Sequence, residues 1–239
     1  MLESPSSVVF RVQDIKKAAE AAHAKGALVY IDNTFCTPIY QNPLELGADF
    51  VMHTASKYLG GHSDIIGGSL TVKDPELGKR VRTIREQIGS IIGPMEGWLM
   101  MRGLRTLEVR VKEHGKTALA VAQYLEQHPK VKKVYYTGLA SHPQHELIEK
   151  QQSGHTGLLS FELDSTTQEA KEFCQALRIF KIGVSWGGFE SLVMMPYARE
   201  DEETCKKMGA GQNVIRIHCG LEGTENLIED LEQAFQQVF

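Results

Sequence analysis

Between residues 13 and 57 a helix-forming stretch hands directly to a strand-forming one, and it does so twice. Alternation at such short spacing points to a parallel sheet with covering helices. In the first unit, Gln13 to Lys25, Ile15, Ala18, Ala19 and Ala22 recur at i, i+3, i+4 and i+7, the spacing of one side of an amphipathic helix, and Gly26 follows as its stop. Next comes Ala27-Leu-Val-Tyr-Ile31, a continuous apolar run of the kind buried on both faces of a sheet, ending abruptly in Asp32-Asn-Thr34. In the second unit Pro43-Leu-Glu-Leu46 reads as a helical turn closed by Gly47. The strand Asp49-Phe-Val-Met-His53 follows and ends in Thr54-Ala-Ser-Lys57.

Beyond this pair the pattern loosens. Residues 60–68 are dense in glycine and lead into the strand-like Ser69-Leu-Thr-Val72. Helical patterning dominates from Pro75 to Gln127, and Leu104, Leu107, Val111, His114, Leu119, Val121 and Leu125 are expected on the buried side of one long or kinked helix. That helix would connect two domains. Strands are expected at Val134–Tyr136, Leu158–Leu163, Lys181–Ser185 and Asn213–His218, with a polar loop rich in His and Gln after the first. Helices are expected at Gln168–Leu177 and at the end of the chain. There Thr224 is the expected cap, and Leu227, Ile228, Leu231, Ala234, Phe235 and Val238 form one face. The reading is an α/β chain divided near residue 103, with a small α+β domain from 104 to 239.

Composition excludes several partners. At 239 residues, with 42% apolar and 23% charged side chains, the chain is long enough for a sizeable core and too apolar for wholesale disorder. Its net charge is −4, from 26 basic and 30 acidic residues, so a broad basic footprint for nucleic acid or anionic lipid is missing. No apolar run approaches the roughly 20 residues of a spanning helix, and no basic-then-apolar leader opens the sequence. Cys36, Cys174, Cys205 and Cys219 are widely spaced and read as reduced thiols of a cytosolic protein; no metal site is expected.

Ligands of open parallel sheets collect at the carboxyl ends of the strands. One such end here carries Asp32 and the other Thr54, Ser56 and Lys57, an acid, two hydroxyls and an amine directed at one crevice. Pyridoxal phosphate wants that set: a lysine for its aldehyde, a carboxylate for its ring nitrogen, hydroxyls for its phosphate. Taken singly, a lysine after a strand is commonly a solvated surface group, and an aspartate there commonly a turn former.

The surrounding residues raise the specificity. Val29-Tyr-Ile-Asp32-Asn-Thr, then Gly47-Ala-Asp-Phe-Val-Met-His-Thr54-Ala-Ser56-Lys57-Tyr-Leu-Gly-Gly-His62-Ser-Asp64, resembles the cofactor-lysine signature of the Cys/Met-metabolism family of pyridoxal-phosphate enzymes, the trans-sulfuration group. The resemblance continues through Arg102-Gly-Leu-Arg-Thr-Leu107, Ser185-Trp-Gly-Gly-Phe-Glu-Ser-Leu192 and Ile215-Arg-Ile-His-Cys-Gly-Leu-Glu222. It implies part of the large parallel-sheet domain of a fold-type I enzyme over residues 1–103, with a connecting helix and a smaller α+β domain over 104–239. It implies pyridoxal 5'-phosphate as cofactor, a small sulfur amino acid as substrate, and a homo-oligomer, a tetramer built as a dimer of dimers. Lys57 matches the Schiff-base lysine and proton carrier, Asp32 the partner of the pyridine nitrogen, and Thr54 and Ser56 the phosphate-holding hydroxyls. Arg216 matches the clamp on the substrate carboxylate, a task suited to a two-pronged donor. Ser185 matches the serine beside that carboxylate which also orients the lysine, and Trp186 is expected either to wall the substrate pocket or to pack in the core. His53 reads as packed at its strand end, His62 as bonded to the backbone of the glycine-rich turn, and Cys219 as a small apolar filler.

Two departures from the family pattern carry expectations. The amino-terminal portion that precedes Glu3-Ser-Pro-Ser6 in family members supplies a phosphate-binding glycine loop, a ring-stacking tyrosine and residues that reach a neighbouring subunit. None has a counterpart here, so these 239 residues alone are expected to hold the cofactor weakly. Ser6-Ser7-Val8 stands where an asparagine usually follows, and Trp186 and His218 accompany it. Together these resemble cystathionine β-lyases, which implies elimination at the β-carbon. Cystathionine γ-lyase, methionine γ-lyase and cystathionine γ-synthase are the nearest alternatives, and a catalytically inert fragment or assembly partner is one of another class.

Overall fold

The computed structural model describes residues 1–239. Its first sheet runs β1 (Leu2–Glu3), β2 (Tyr30–Asp32), β3 (Phe50–Thr54) and β4 (Gly68–Val72) in that order; the first three are parallel and β4 returns antiparallel. The expected first helix is α1 (Ile15–His23). Asp14 accepts from the Lys17 N–H at its start, and Gly26 ends the turn after it at φ +69°, a conformation costly for any residue with a Cβ. Its buried side, Ile15 and Ala19, packs with Val29, Ile31, Ala48 and Val51 across β2 and β3. Leu28, expected inside the strand, is 53% exposed, because regular pairing begins only at Tyr30. A short turn, α2 (Thr37–Tyr40), precedes the β3 unit.

The long helical stretch is three helices: α3 (Pro75–Ile88), α4 (Pro94–Arg105) and α5 (Leu107–Gln127). Gly89, at φ +73°, ends the first, and the chain breaks again at Thr106. Leu104 therefore leaves the buried row expected for it. It belongs to α4 and is 42% exposed, while Leu107, Val111, His114, Val121 and Leu125 on α5 are buried.

The second sheet is β5 (Val131–Tyr135), β6 (Leu158–Leu163), β9 (Val214–His218), β8 (Leu192–Met194) and β7 (Lys181–Ile182), antiparallel except for the last pair. With α7 (Thr167–Ala176), α9 (Thr224–Val238) and α5 it encloses the largest core, which includes Leu159, Phe161, Phe173, Ile215, Ile217 and Phe235. Central β6 and β9 are buried on both faces. One face meets this core, and residues of the other, Ser160, Glu162, Arg216 and His218 among them, are polar yet buried.

Five short elements escape the sequence reading: β1, α2, which lies at Thr37–Tyr40 while the helical turn is expected at Pro43–Leu46, β8, α6 (His145–Gln151) in the polar loop, and α8 (Glu202–Met208). Thr224 is the first helical residue of α9 and not its cap. The cap is Gly223, and the Thr224 hydroxyl bonds that of Thr117 on α5 at 3.0 Å. The apolar face of α9 is as expected, with one polar insertion: buried Asp230 accepts from the N–H groups of Arg178, Ile179 and Phe180.

Candidate active site

The two strand ends are tied together by Thr34. Its hydroxyl donates to Asp32 Oδ1 at 2.5 Å and accepts from the Thr54 N–H at 2.8 Å, while its own N–H donates to Asp32 Oδ1 at 2.9 Å. Asp32 is thus fixed through one oxygen, with Oδ2 left for another partner. Its charge acts on its neighbours: the pKa of the Glu3 carboxyl, paired in register with Asp32, is raised by partial desolvation and then by that charge. Burial lowers the His53 pKa against the opposing pull of Asp32, and its Nε2 lies 3.1 Å from Asn33 Nδ2.

Past Thr54 the backbone enters the irregular turn Ala55–Leu59, in which the Gly60 N–H reaches back to the carbonyl of Ala55 and Lys57 has non-helical dihedrals. Ser56 Oγ accepts from the Gly67 N–H at 3.2 Å, anchoring the glycine-rich loop; His62 Nδ1, 2.8 Å from the carbonyl of Gly60, braces it as the sequence suggested. Wide turns of this kind recur at functional sites. Here the turn sends Lys57 out of the first sheet toward the second.

There Lys57 Nζ donates to Ser185 Oγ at 2.9 Å and lies 5.3 Å from the centroid of the Trp186 ring. Burial, and next the positive charge of Arg216, lower the lysine pKa below its ordinary value. Arg216 is 9% exposed. Its Nη2 donates to the carbonyl of Val184 at 2.8 Å and contacts Met194 Sδ at 2.9 Å, and its Nη1 reaches Ser7 Oγ at 3.4 Å. None of these partners is an acid. A buried guanidinium opposed only by neutral groups is a ready carboxylate receptor, because a carboxylate repays the desolvation that neutral acceptors leave uncompensated. Trp186 packs edge-on to Tyr58 and also lines a small cleft with Asp32, Thr34, Ser7 and Phe35. One ring thus both packs on Tyr58 and borders the cleft beside Asp32.

The residues brought together in direct contact are thus Lys57 with Ser185 and Trp186, and Asp32 with Thr54 through Thr34. Thr34 and Ser7 were not among the sequence candidates. Thr34 carried a usable signal, a hydroxyl two residues after an aspartate, the spacing of a local side-chain turn; Ser7 was marked only as part of the departure at Ser6-Ser7-Val8, and nothing local points to its partner 209 residues away.

Residues 1–236 match the family model described as Cys/Met metabolism PLP-dependent enzyme. The chain belongs to this family. It is 38% identical over 240 residues to cystathionine γ-lyase of Dictyostelium discoideum, covering 99% of this chain and 62% of that one. It is 40% identical over 239 residues to cystathionine β-lyase of Lactococcus lactis subsp. cremoris (strain MG1363), covering 98% of this chain and 63% of that protein. Among solved structures, cystathionine γ-synthase of Xanthomonas oryzae pv. oryzae superposes with a TM-score of 0.95 at 36% identity, over 99% of this chain and 62% of the other. The chain therefore spans less than two thirds of the length of these relatives. The family is one of pyridoxal-phosphate enzymes, and the donor set fits that cofactor: an amine held on a hydroxyl, a carboxylate with a free oxygen, and hydroxyls at the end of the adjacent strand. No helix is long and apolar enough to cross a membrane.

Proposed function

We propose that this chain carries the lysine-bearing part of a pyridoxal-phosphate-dependent carbon-sulfur lyase acting on sulfur amino acids, of cystathionine β-lyase type. In this reading residues 1–103 belong to the large cofactor domain of a fold-type I enzyme, and residues 104–239 form the connecting helix and the smaller α+β domain. The observation that carries it is the Lys57 amine resting on Ser185 Oγ beside Arg216, a buried cation with no acidic partner. The bound cofactor supplies an electron sink for negative charge at the substrate's α-carbon. Asp32 holds the proton on the ring nitrogen, Thr54 and Ser56 hold the phosphate, and Arg216 takes the α-carboxylate with Ser185 beside it. Lys57 removes the α-proton at Nζ and returns it to the departing sulfur. The depressed pKa of Lys57 suits the task, since a larger share of the amine is unprotonated near neutral pH. Trp186 walls the pocket and limits water.

Borohydride reduction in excess cofactor, followed by peptide mapping, tests the assignment. The label is expected on Lys57 and absent from Lys57→Ala; a label elsewhere, or none, overturns it. A γ-type enzyme is the second reading, favoured by the 41% identity to cystathionine γ-lyase of Homo sapiens, which matches the figures for β-lyases. Products separate the two: pyruvate from β-elimination, 2-oxobutyrate from γ-elimination.

We also assign a homo-oligomer, a tetramer of paired dimers. Ile84, Ile88, Ile91, Met95, Trp98 and Met101 on and between α3 and α4 are each at least half exposed, and an apolar surface of this extent is suited to contact between copies. The four cysteines are buried and unpaired, in keeping with a cytosolic setting.

A further inference from the structure

β9 sets Arg216 and His218 two residues apart, hence on one face, and both reach the segment that carries Ser185 and Trp186. Arg216 donates to the carbonyl of Val184 at 2.8 Å, and His218 Nε2 lies 3.1 Å from the carbonyl of Gly188. A carbonyl oxygen only accepts, so Nε2 carries the hydrogen and the tautomer is set by its partner. The two bonds hold the segment on either side of Ser185 and Trp186. Between them Gly187, at φ +85°, lies so close to the lysine turn that a Cβ there would stand 2.8 Å from the Tyr58 nitrogen and 3.1 Å from the Lys57 carbonyl carbon. The segment rests on the backbone of Lys57 itself.

His218 is built into a rigid mount. Its ring packs 5.0 Å from that of His114 and 5.8 Å from that of Tyr58, and His114 Nδ1 is in turn bonded to the carbonyl of Cys219 at 2.8 Å. Burial, and then the neighbouring His114, push the His218 pKa down to about 3, so its single N–H persists across the physiological range.

We propose that His218 is a positioning residue: by donating to Gly188 it seats the Ser185–Trp186 segment on the lysine turn and so fixes the hydroxyl that receives the Lys57 amine. This deepens the reading above and rests on it only for the importance of Lys57; the seating is a property of the folded chain.

In a Trp98→Phe background Trp186 is the one remaining tryptophan, since the sequence has 2. His218→Leu keeps bulk and deletes the donor, whereas His218→Gln keeps an N–H. The leucine variant is expected to raise acrylamide quenching of Trp186 several-fold. It should also shift the midpoint of the pH–reactivity profile of Lys57, which faces Ser185 and Arg216, upward toward an ordinary lysine. The midpoint is read by amine labelling and peptide mass mapping, and glutamine is expected to restore both readouts. A leucine variant that keeps the parent's quenching and midpoint overturns the proposal, as does a glutamine variant as loose as leucine. If His218→Leu does not fold, Gly187→Ala makes the same test from the other side. Its Cβ must lift the segment and produce both changes, and their absence overturns the seating. Neither readout needs the cofactor. Both changes without borohydride trapping at Lys57 would therefore retire the enzymatic reading and leave the seating in place.

Discussion

The buried imidazoles beside the lysine turn make the site sensitive to acid. His114 is fully buried, and burial pushes its pKa down from 6.5 to about 4. In the unfolded chain this group takes a proton below about pH 6.5, and in the folded chain not until near pH 4, so the unfolded state binds more protons in that window. Stability must then fall as pH drops from 6.5 toward 4, by about 3 kcal/mol for this one group when the shift is fully expressed. Urea midpoints at about pH 7 and about pH 4.5 should differ less in His114→Phe than in the parent. An equal difference would show that His114 does not carry the effect. Among single residues, Lys57, Asp32 and Arg216 were legible because each sits in a distinctive string of neighbours. Thr34, Ser7 and the donor role of His218 were not, since each acts through a contact that only folding creates.

At the scale of elements, the placement of the lysine turn depends on α4. A Cβ added at Gly103 would overlap the carbonyl oxygens of Leu59 and Gly60, so α4 approaches the turn as closely as backbones allow. Gly103→Ala gains about 0.5–1 kcal/mol of helix propensity. Forcing α4 off the turn costs about 1–3 kcal/mol, and the clash should win. A lowered Tm and weaker borohydride trapping at Lys57 are expected; an unchanged Tm would mean that α4 shifts freely. Periodicity revealed α1, α5 and α9 because each buries one continuous stripe over several turns. β1 and β8 have two or three residues each, too few for any period, and exist because a neighbouring strand pairs with them, while β7 keeps only the first two residues of the strand expected at Lys181–Ser185. The breaks at Gly89 to Gly93 and at Thr106 both fall inside the stretch whose patterning reads as helical throughout, because side-chain periodicity resumes on either side of each.

For the whole molecule, the exposed apolar side of α3 and α4 sets the expected assembly. Trp98→Glu places a charge in its middle, and sedimentation velocity should show a shift to smaller species; a parent that is already monomeric would refute the assignment of this face. In the proposed reading the groups this chain would bring to the cofactor phosphate are two hydroxyls, and Ser56 already accepts from Gly67. One equivalent of pyridoxal phosphate is therefore expected to give these 239 residues far less than a stoichiometric visible band, and a full band would show that the hydroxyls suffice. By itself the sequence determined the α/β class, the principal helices, the family and the residues that carry its signature, because these are written in local spacing and in strings of adjacent side chains. The tertiary structure alone decided that β9 turns Arg216 and His218 to the segment that carries Ser185 and Trp186, that a buried cation lacks an acid, and that Gly187 lies on Lys57. The physical reason is range: burial and hydrogen bonding join groups more than a hundred residues apart, as Lys57 is from Ser185, and no local pattern records such a meeting.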